Sequence, residues 1–455
     1  MKKTMRFLSM AALALVGAMM TGCTSDNIDN PLQPANNVLT LTTTVSLDGG
    51  AIDTSTGKKT FEATNTIAVI YKNASNETKR AESGSLTLSA DGTKATFTVS
   101  LTNPSSNSAI RYIYPYSMSK DVATDATITS DDATINYSGL FSSQDGNLIT
   151  LGKNYDLAVF DGNLSGTQLP ATASLTNPLA ICALTLTDGT NAITSSVTSL
   201  NVSDGTNTYH LSPSGLSTIY VAMKPVASKN IAFTAATGSK TYFKTTALAQ
   251  APAASKIYTS VSVSMVELAV GSVFCDDGSV YASKDVATAA SKTPVAMIAY
   301  LGSENGEASP YNHGLALAMS DAGSGELLKW STSNTDAHTT KQTSNNFTSE
   351  SGLKYNETHN NDNYPAFKAA IANNSTAATI GCSAWFLASG YQWQKMINAA
   401  GGISNLKTNA DLKSYFYWSS SEDLANFSWV FYAADGVWSD DFKGDGILVR
   451  SCLAF

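Results

Sequence analysis

Side chains equipped for chemistry are few and widely spaced. The four histidines, His210, His313, His338 and His359, lie in separate stretches, and none belongs to an H-E-x-x-H pair or another ligand spacing. His338 and His359 fall in a Thr-, Asn- and Ser-rich stretch from Ser331 to Asn363, which reads as a long surface loop and gives both imidazoles a solvated setting. No Gly-x-Ser-x-Gly elbow, P-loop or dinucleotide fingerprint occurs, so nucleophile, base and orienting group cannot be assembled. Asp440, Asp441 and Asp445 offer oxygens for calcium, but without EF-hand spacing they read as a solvated acidic face. The expectation is a non-enzymatic protein with no cofactor and no metal.

Recognition chemistry remains. All six tryptophans lie between Trp330 and Trp438, so the amphipathic side chains that dominate binding surfaces are confined to one end of the 455-residue chain. A net charge of −8, with no Lys/Arg cluster beyond the first six residues, excludes a nucleic-acid footprint. The carboxy-terminal part holds most of the excess negative charge, which suits a basic or carbohydrate partner better than an acidic one.

The thiols divide into one near the amino terminus and four further on. Lys2, Lys3 and Arg6 precede an apolar run from Phe7 to Met20, the layout of a secretion signal and too short to span a membrane. The run ends in Met20-Thr21-Gly22-Cys23, which resembles a lipobox, although the usual Leu three residues before the Cys is Met here. The resemblance implies removal of residues 1–22, lipidation of Cys23, a tether over 23–36 and attachment to the outer membrane. Thr24-Ser25-Asp26-Asn27-Ile28-Asp29 is similar to the export signal of Bacteroidota surface lipoproteins. Cys182, Cys275, Cys382 and Cys452 fit either a disulfide or small buried hydrophobes.

The elements behind these residues are mainly short strands. Ser85–Leu88 and Ala95–Val99 alternate apolar and polar residues around Asp91-Gly92, a hairpin with one face buried, and similar strands without helical runs recur over 37–165. After a polar stretch near Asp161, a second β region, 166–265, holds the nearly continuous apolar run Leu179–Leu186, which predicts burial on both faces. From 266 to 455 the grammar becomes α+β, with helices expected over Tyr364–Asn373 and Gln392–Ala400.

The first two regions resemble the fimbrillin superfamily of Bacteroidota pilins. The resemblance rests on the Ile67–Tyr71 strand, Arg111-Tyr112-Ile113-Tyr114-Pro115-Tyr116, Tyr155-Asp156-Leu157, Asn177-Pro178-Leu179-Ala180 and Lys256-Ile257-Tyr258. It implies two stacked β-sandwiches and assembly with other pilus subunits. Family stalk subunits are cut after an Arg near the mature amino terminus, and no Arg occurs between Cys23 and Arg80.

The last region is similar to the C-type-lectin-like domains of bacterial surface proteins, including the variable proteins of diversity-generating retroelements. The matching words are Trp385-Phe386-Leu387-x-Ser389-Gly390, Tyr417-Trp418-Ser419-Ser420-Ser421-Glu422, Trp429, Gly436, Val449-Arg450 and Leu453-Ala454-Phe455. The resemblance implies that Trp385, Trp418, Trp429, Arg450 and Phe455 build a frame. It implies a ligand face from Asp423, Leu424, Asn426, Phe427, Val430, Tyr432, Ala434, Asp435, Val437, Ser439, Asp440, Asp441, Phe442, Lys443, Asp445, Gly446 and Ile447, joined by Trp438 as an aromatic anchor. Mutagenesis of template adenines turns Asn codons ending in C into a set that omits Trp, Lys, Glu, Gln and Met; Lys443 and Trp438 stand outside it. The expected fold is mainly β with an α+β end, two fimbrillin-like sandwiches followed by a lectin-like domain. The expected function is a surface adhesin, at a pilus tip, for a surface protein or glycan; the alternative is a membrane-retained structural or anchor subunit.

Overall fold

A computed structural model describes residues 37–47, 60–338, 340–373 and 380–455. The signal segment, the tether and Cys23 lie outside the described residues. The fold is mainly β, built from several sheets, with a group of helices in the carboxy-terminal part.

Two four-stranded sheets form the first sandwich. One runs in the order Thr87–Leu88, Lys94–Thr102, Val38–Leu47, Thr172–Leu175, and the other in the order Thr78–Glu82, Ala68–Lys72, Ala109–Tyr114, Ala158–Asn163. The hairpin at Asp91-Gly92 pairs Thr87 with Thr96 and Leu88 with Ala95, and Gly92 takes the left-handed conformation that the turn requires. Strict alternation buries Ala95, Phe97, Val99 and Leu101 against Ile67, Val69 and Tyr112 of the facing sheet. Thr172–Leu175 lies past residue 165 yet pairs in parallel with Thr44–Leu47, so the first sandwich borrows its last strand from beyond the polar stretch.

Helices, absent from the expected strand pattern, do occur between residues 131 and 154: Asp131–Thr134, Ser138–Ser142 and Leu148–Asn154. Ser130 and Asn147 cap two of them, their side chains accepting from the N–H groups of Ala133 and Ile149. Arg111 holds the segment to the sheet. Its guanidinium donates to both carboxylate oxygens of Asp161 at 2.7 and 2.8 Å, to Asp131 at 2.8 Å and to the carbonyl of Thr129 at 2.8 Å.

The second sandwich has a five-stranded sheet, ordered Thr208–Leu211, Ser199–Ser203, Asn230–Ala236, Thr241–Ala247, Val266–Glu267, and a three-stranded sheet, ordered Ile219–Met223, Ala180–Thr187, Lys256–Ser264. Ala180–Thr187 is central and almost wholly buried, as its apolar run predicts. Ala68, Ile70 and Ile113, on the outer face of the first sandwich, share one apolar cluster with Leu140 and Leu151 of the helical segment and with Leu184 and Phe233 of the second sandwich. The two sandwiches are therefore fused through a common core.

In the carboxy-terminal part a six-stranded sheet runs Val280–Tyr281, Val273–Cys275, Pro294–Leu301, Gly314–Asp321, Arg450–Ala454, Phe386–Leu387. The chain's last strand thus lies inside the sheet. Both expected helices are present, as Pro365–Ile371 and Gly390–Ala399; the second carries a Ser389/Gln392 capping box and buries Trp393 and Met396. This part packs against the second sandwich: Phe243, Phe274 and Phe455 stack edge to face at 5.0 and 5.3 Å within a buried cluster, and Val266–Glu267 pairs with Tyr242 and Phe243.

Candidate functional site: the carboxy-terminal hairpin sheet

The expected face falls on a three-stranded sheet of an inner strand Phe416–Leu424, a central strand Phe427–Tyr432 and an outer strand Trp438–Phe442. The hairpin between central and outer strands closes at Gly436, whose φ of +81° suits glycine and whose N–H donates to Tyr432 at 2.8 Å.

The Trp418-to-Glu422 run owes its composition to the partners each residue meets. Trp418 is fully buried and donates its indole N–H to the Leu328 carbonyl at 2.8 Å, while Trp330 donates to the Ser419 carbonyl at 2.8 Å. Ser419 donates to the Trp429 carbonyl at 2.9 Å, and Ser421 accepts from the N–H of Gly390 at 2.8 Å while donating to Glu350. Glu422 accepts from the backbone N–H groups of Ala337 at 2.9 Å and His338 at 2.8 Å. Small hydroxyls followed by a carboxylate are what stitch a loop on one side and a helix start on the other to a buried strand. Arg450, also buried, pairs with Asp321 at 2.7 Å and donates to the carbonyls of Ala318, Ala410 and Asp411.

The stretch from Ser331 to Asn363 does not behave as a surface loop. It folds onto the sheet, contains the helix Gly352–Thr358, and buries His338, Gln342, Phe347, Glu350 and His359. The solvated setting expected for His338 and His359 is therefore corrected. His338 stacks on Tyr355 with ring centroids 3.6 Å apart and donates from Nε2 to the Ser420 carbonyl at 2.8 Å; burial, reinforced by His359 and Lys443, pushes its pKa down to about 4. Polar composition misled here because each of these polar residues finds at least one partner inside, His338 through Nε2 alone.

Of the expected face residues, Leu424, Ala434, Asp435, Val437, Ser439, Asp440, Asp445 and Gly446 are exposed, and Asp423, Asn426, Phe427, Tyr432, Trp438, Asp441 and Phe442 are half-buried. Three belong to the interior instead. Val430 lies opposite Trp418 in the sheet and is fully buried, and Ile447 is closed off by two backbone hydrogen bonds with Leu328. Lys443, fully buried, forms an ion pair with buried Glu422, donates to the carbonyls of Thr335 at 3.0 Å and Ala425 at 2.7 Å, and lies 4.8 Å from the Trp330 ring centroid. All three ammonium protons are used, although burial lowers its pKa. Nothing in the run of exposed neighbours announced this pairing; a lone Lys among Asp residues was the available signal.

The remaining face has a consistent chemistry. Leu424, Phe427 and Phe442 are cross-strand neighbours that form an apolar row, with Leu424 48% exposed and the two rings 6.2 Å apart. Trp438 is committed in part to the core, its ring against Phe347 at 4.6 Å and Phe431 at 5.5 Å. Burial, and then Asp440, raises the pKa of Asp423; burial, and then Asp445 and Asp440, raises that of Asp441. Among the described residues no three His, Cys, Asp or Glu side chains converge as metal ligands. Cys182, Cys275, Cys382 and Cys452 are free thiols, all but Cys382 fully buried, which resolves the open choice toward small hydrophobes.

No protein-family model and no curated protein matches the chain. Among solved structures, a fimbrial protein of Bacteroides ovatus is similar at 14% identity, covering 92% of this chain and 100% of its own, with a TM-score of 0.35. A Bacteroides uniformis protein described as a candidate for cell adhesion shares 15% identity over 50% of this chain and 96% of its own, with a TM-score of 0.30. The tip fimbrial protein Mfa3 of Porphyromonas gingivalis, with its carboxy terminus truncated, shares 10% identity over 46% and 81%, with a TM-score of 0.23. At these identities and TM-scores the likeness is too distant to carry a function onto this chain.

Proposed function

We propose that this chain is a cell-surface adhesin of the pilus type, held to the outer membrane by a lipid on Cys23 and assembled with other pilus subunits through its sandwiches. Its carboxy-terminal lectin-like part binds a protein or glycan on a host, bacterial or phage surface. The observation that carries this reading is the division of the hairpin sheet. A frame of Trp330, Trp418, Trp429 and Arg450 is buried, while the residues between these words bring an apolar row and several carboxylates to the surface. Rigid frames with exposed Tyr, Phe and Trp anchors are the economical way to make a recognition surface.

Retroelement-type diversification of this face fits the same division. Lys443 and Trp438, the two face residues that adenine mutagenesis cannot write, are both engaged with the interior, alongside Val430 and Ile447, which it can write. The strand Arg450–Ala454 is paired on both sides within its sheet and is not available to pass onward, which favours the tip. The missing Arg between Cys23 and Arg80 favours the second reading, a lipid-retained anchor. Purified pili separate the two: chains confined to one end support the tip, and chains along the shaft overturn it.

Ligand capture tests the main reading. The whole chain is the right reagent, because cutting at residue 266 would expose Phe274 and Phe455. On arrays of glycans and surface proteins we expect binding that is lost when Phe427 and Phe442 are both changed to Ser. Binding unchanged in that variant removes the face.

A further inference from the structure

We propose that the free edge of the outer strand Trp438–Phe442 accepts a basic, extended polypeptide segment as a fourth strand of the hairpin sheet. This rests on the reading of that sheet as the recognition surface and specifies the partner. The strand stands last in its sheet, with its far side unpaired among the described residues. The Tyr432 N–H donates to the Val437 carbonyl at 2.9 Å, and at the other end the Lys443 N–H donates to the Asn426 carbonyl at 3.0 Å, which fixes the register of inward bonds. Alternation between these limits turns the N–H and C=O groups of Trp438, Asp440 and Phe442 outward. Two of the outward carbonyls and one N–H already have local partners: Phe442 N–H donates to its neighbour Asp441 at 2.8 Å, its carbonyl accepts from Asp445 at 2.8 Å, and the Asp440 carbonyl accepts from Ser439 at 3.0 Å. The Trp438 N–H and C=O and the Asp440 N–H are left to pair with an added strand.

Charge decides what kind of strand. Asp440 lies on the same sheet face as Trp438 and Phe442, and Asp441 lies on the opposite one. No Lys or Arg forms a salt bridge with Asp423, Asp440, Asp441 or Asp445 among the described residues: Lys443 is paired with Glu422, and Lys341, which favours the charge of Asp423 at longer range, is paired with Asp336. An incoming strand would therefore meet the unpaired carboxylates of Asp440 and Asp441, one on each face. A second copy of this chain, at net charge −8, is repelled by the same carboxylates, which discourages edge-to-edge self-association. Arg or Lys side chains at adjacent positions of the added strand meet Asp440 on one face and Asp441 on the other. Those on the Asp440 face pack their stems on Phe442, the near end of the apolar row, by cation–π and apolar contact.

The test uses the full chain and a fluorescent peptide of about a dozen residues repeating Arg-Arg-Thr-Thr, which places Arg on both faces of a strand, followed by anisotropy. Expected are saturable binding that weakens as salt rises, no binding of the Glu–Thr counterpart, and loss of affinity of about tenfold or more in Asp440→Asn with Asp441→Asn. Asp125→Asn with Glu357→Gln, exposed carboxylates elsewhere, should leave affinity unchanged. Methylating every peptide nitrogen, so that neither edge of the peptide can pair as a strand, should abolish binding. Equal losses in both charge variants, or equal binding of the methylated peptide, overturn the inference. Should surface-ligand capture depend on Phe427 and Phe442 while the Arg–Thr peptide fails to bind, the partner is not a basic strand and the adhesin reading stands. Capture indifferent to Phe427 and Phe442 ends both.

Discussion

The strand Lys94–Thr102 of the first sandwich and the hairpin strands Phe427–Tyr432 and Trp438–Phe442 dispose of their apolar residues along different axes. In the sandwich strand burial changes from one face to the other: Ala95, Phe97, Val99 and Leu101 are inside, and the wet face carries hydroxyl ladders such as Thr44–Thr96 at 2.9 Å. In the hairpin burial changes along the central strand. Ser428 to Phe431 are covered on both faces, whereas Leu424, Phe427 and Phe442 beyond one end and Ala434, Asp435 and Val437 beyond the other are not. A sheet polarised across its thickness makes a scaffold. One buried at the middle of its strands can be held firmly there and offer surface at its ends.

Charged side chains are the sharpest way to break that contrast. Lys443 and Glu422 are both fully buried, so Lys443→Met leaves a carboxylate stranded and should cost about 3–5 kcal/mol, read as a lowered urea midpoint at unchanged slope. Adding Glu422→Gln should recover a large part, since the amide oxygen still accepts one of the two backbone N–H groups. Arg111→Met in the sandwich region should cost less, about 1–3 kcal/mol, because its partners Asp131 and Asp161 are 42% and 39% exposed and water can solvate them. Equal losses at the two sites would show that the hairpin end is no more enclosed than the sandwich.

Aromatic truncation gives the next largest difference. Phe97→Ala removes a ring that is 1% exposed and should cost about 3–5 kcal/mol, while Phe427→Ala at the open end should cost about 1 kcal/mol or less. A Phe427→Ala loss as large as that of Phe97→Ala would place Phe427 in the frame and remove it from the face.

Proton linkage should be smaller and carry a defined sign. Burial depresses His338 and His313, each to about 4, below the unfolded value near 6.5. The unfolded chain then binds more protons between these limits. Stability is fully present above pH 6.5 and is lost as pH falls toward 4, by at most about 1.4 kcal/mol per pH unit for each histidine. Glu350 and Glu307, raised by burial, oppose this above their unfolded value, so the net slope is shallower. Urea midpoints measured across this window should flatten in His338→Gln. A slope unchanged by that substitution would mean that His338 is solvated.

The sandwich strands were legible because alternation reports burial whenever one whole face is covered, as Ala95 to Leu101 illustrate. The helix at Gly390 was legible for a similar reason, its Trp393 and Met396 falling on one face behind a Ser389 cap. The short helices around Arg111 were not, since four to seven residues give no period and their support comes from a guanidinium distant in sequence. The same blindness hid the interior of the Ser331–Asn363 stretch. Composition registers that His338, Gln342 and Glu350 are polar, but not that Ser420, Thr348 and Ser421 lie waiting for them. The frame residues Trp385, Trp418, Trp429, Arg450 and Phe455 of the carboxy-terminal part are buried as expected; the burial of Lys443 needed Glu422 in three dimensions.

The smallest expected effect is the one that most directly joins stability to recognition. Asp423 is half-buried beside Asp440, and both its desolvation and that neighbour disfavour its charge. Asp423→Asn removes the repulsion while keeping the shape, so it should stabilise the fold by a few tenths of a kcal/mol, within about 0.5, once solvent screening is allowed for. The same change should weaken any cationic partner. A hairpin end kept slightly unstable by its own carboxylates is the signature of a surface held ready for opposite charge. If Asp423→Asn instead lowers the urea midpoint, its carboxylate serves the frame, and the open end of the sheet begins one residue later, at Leu424.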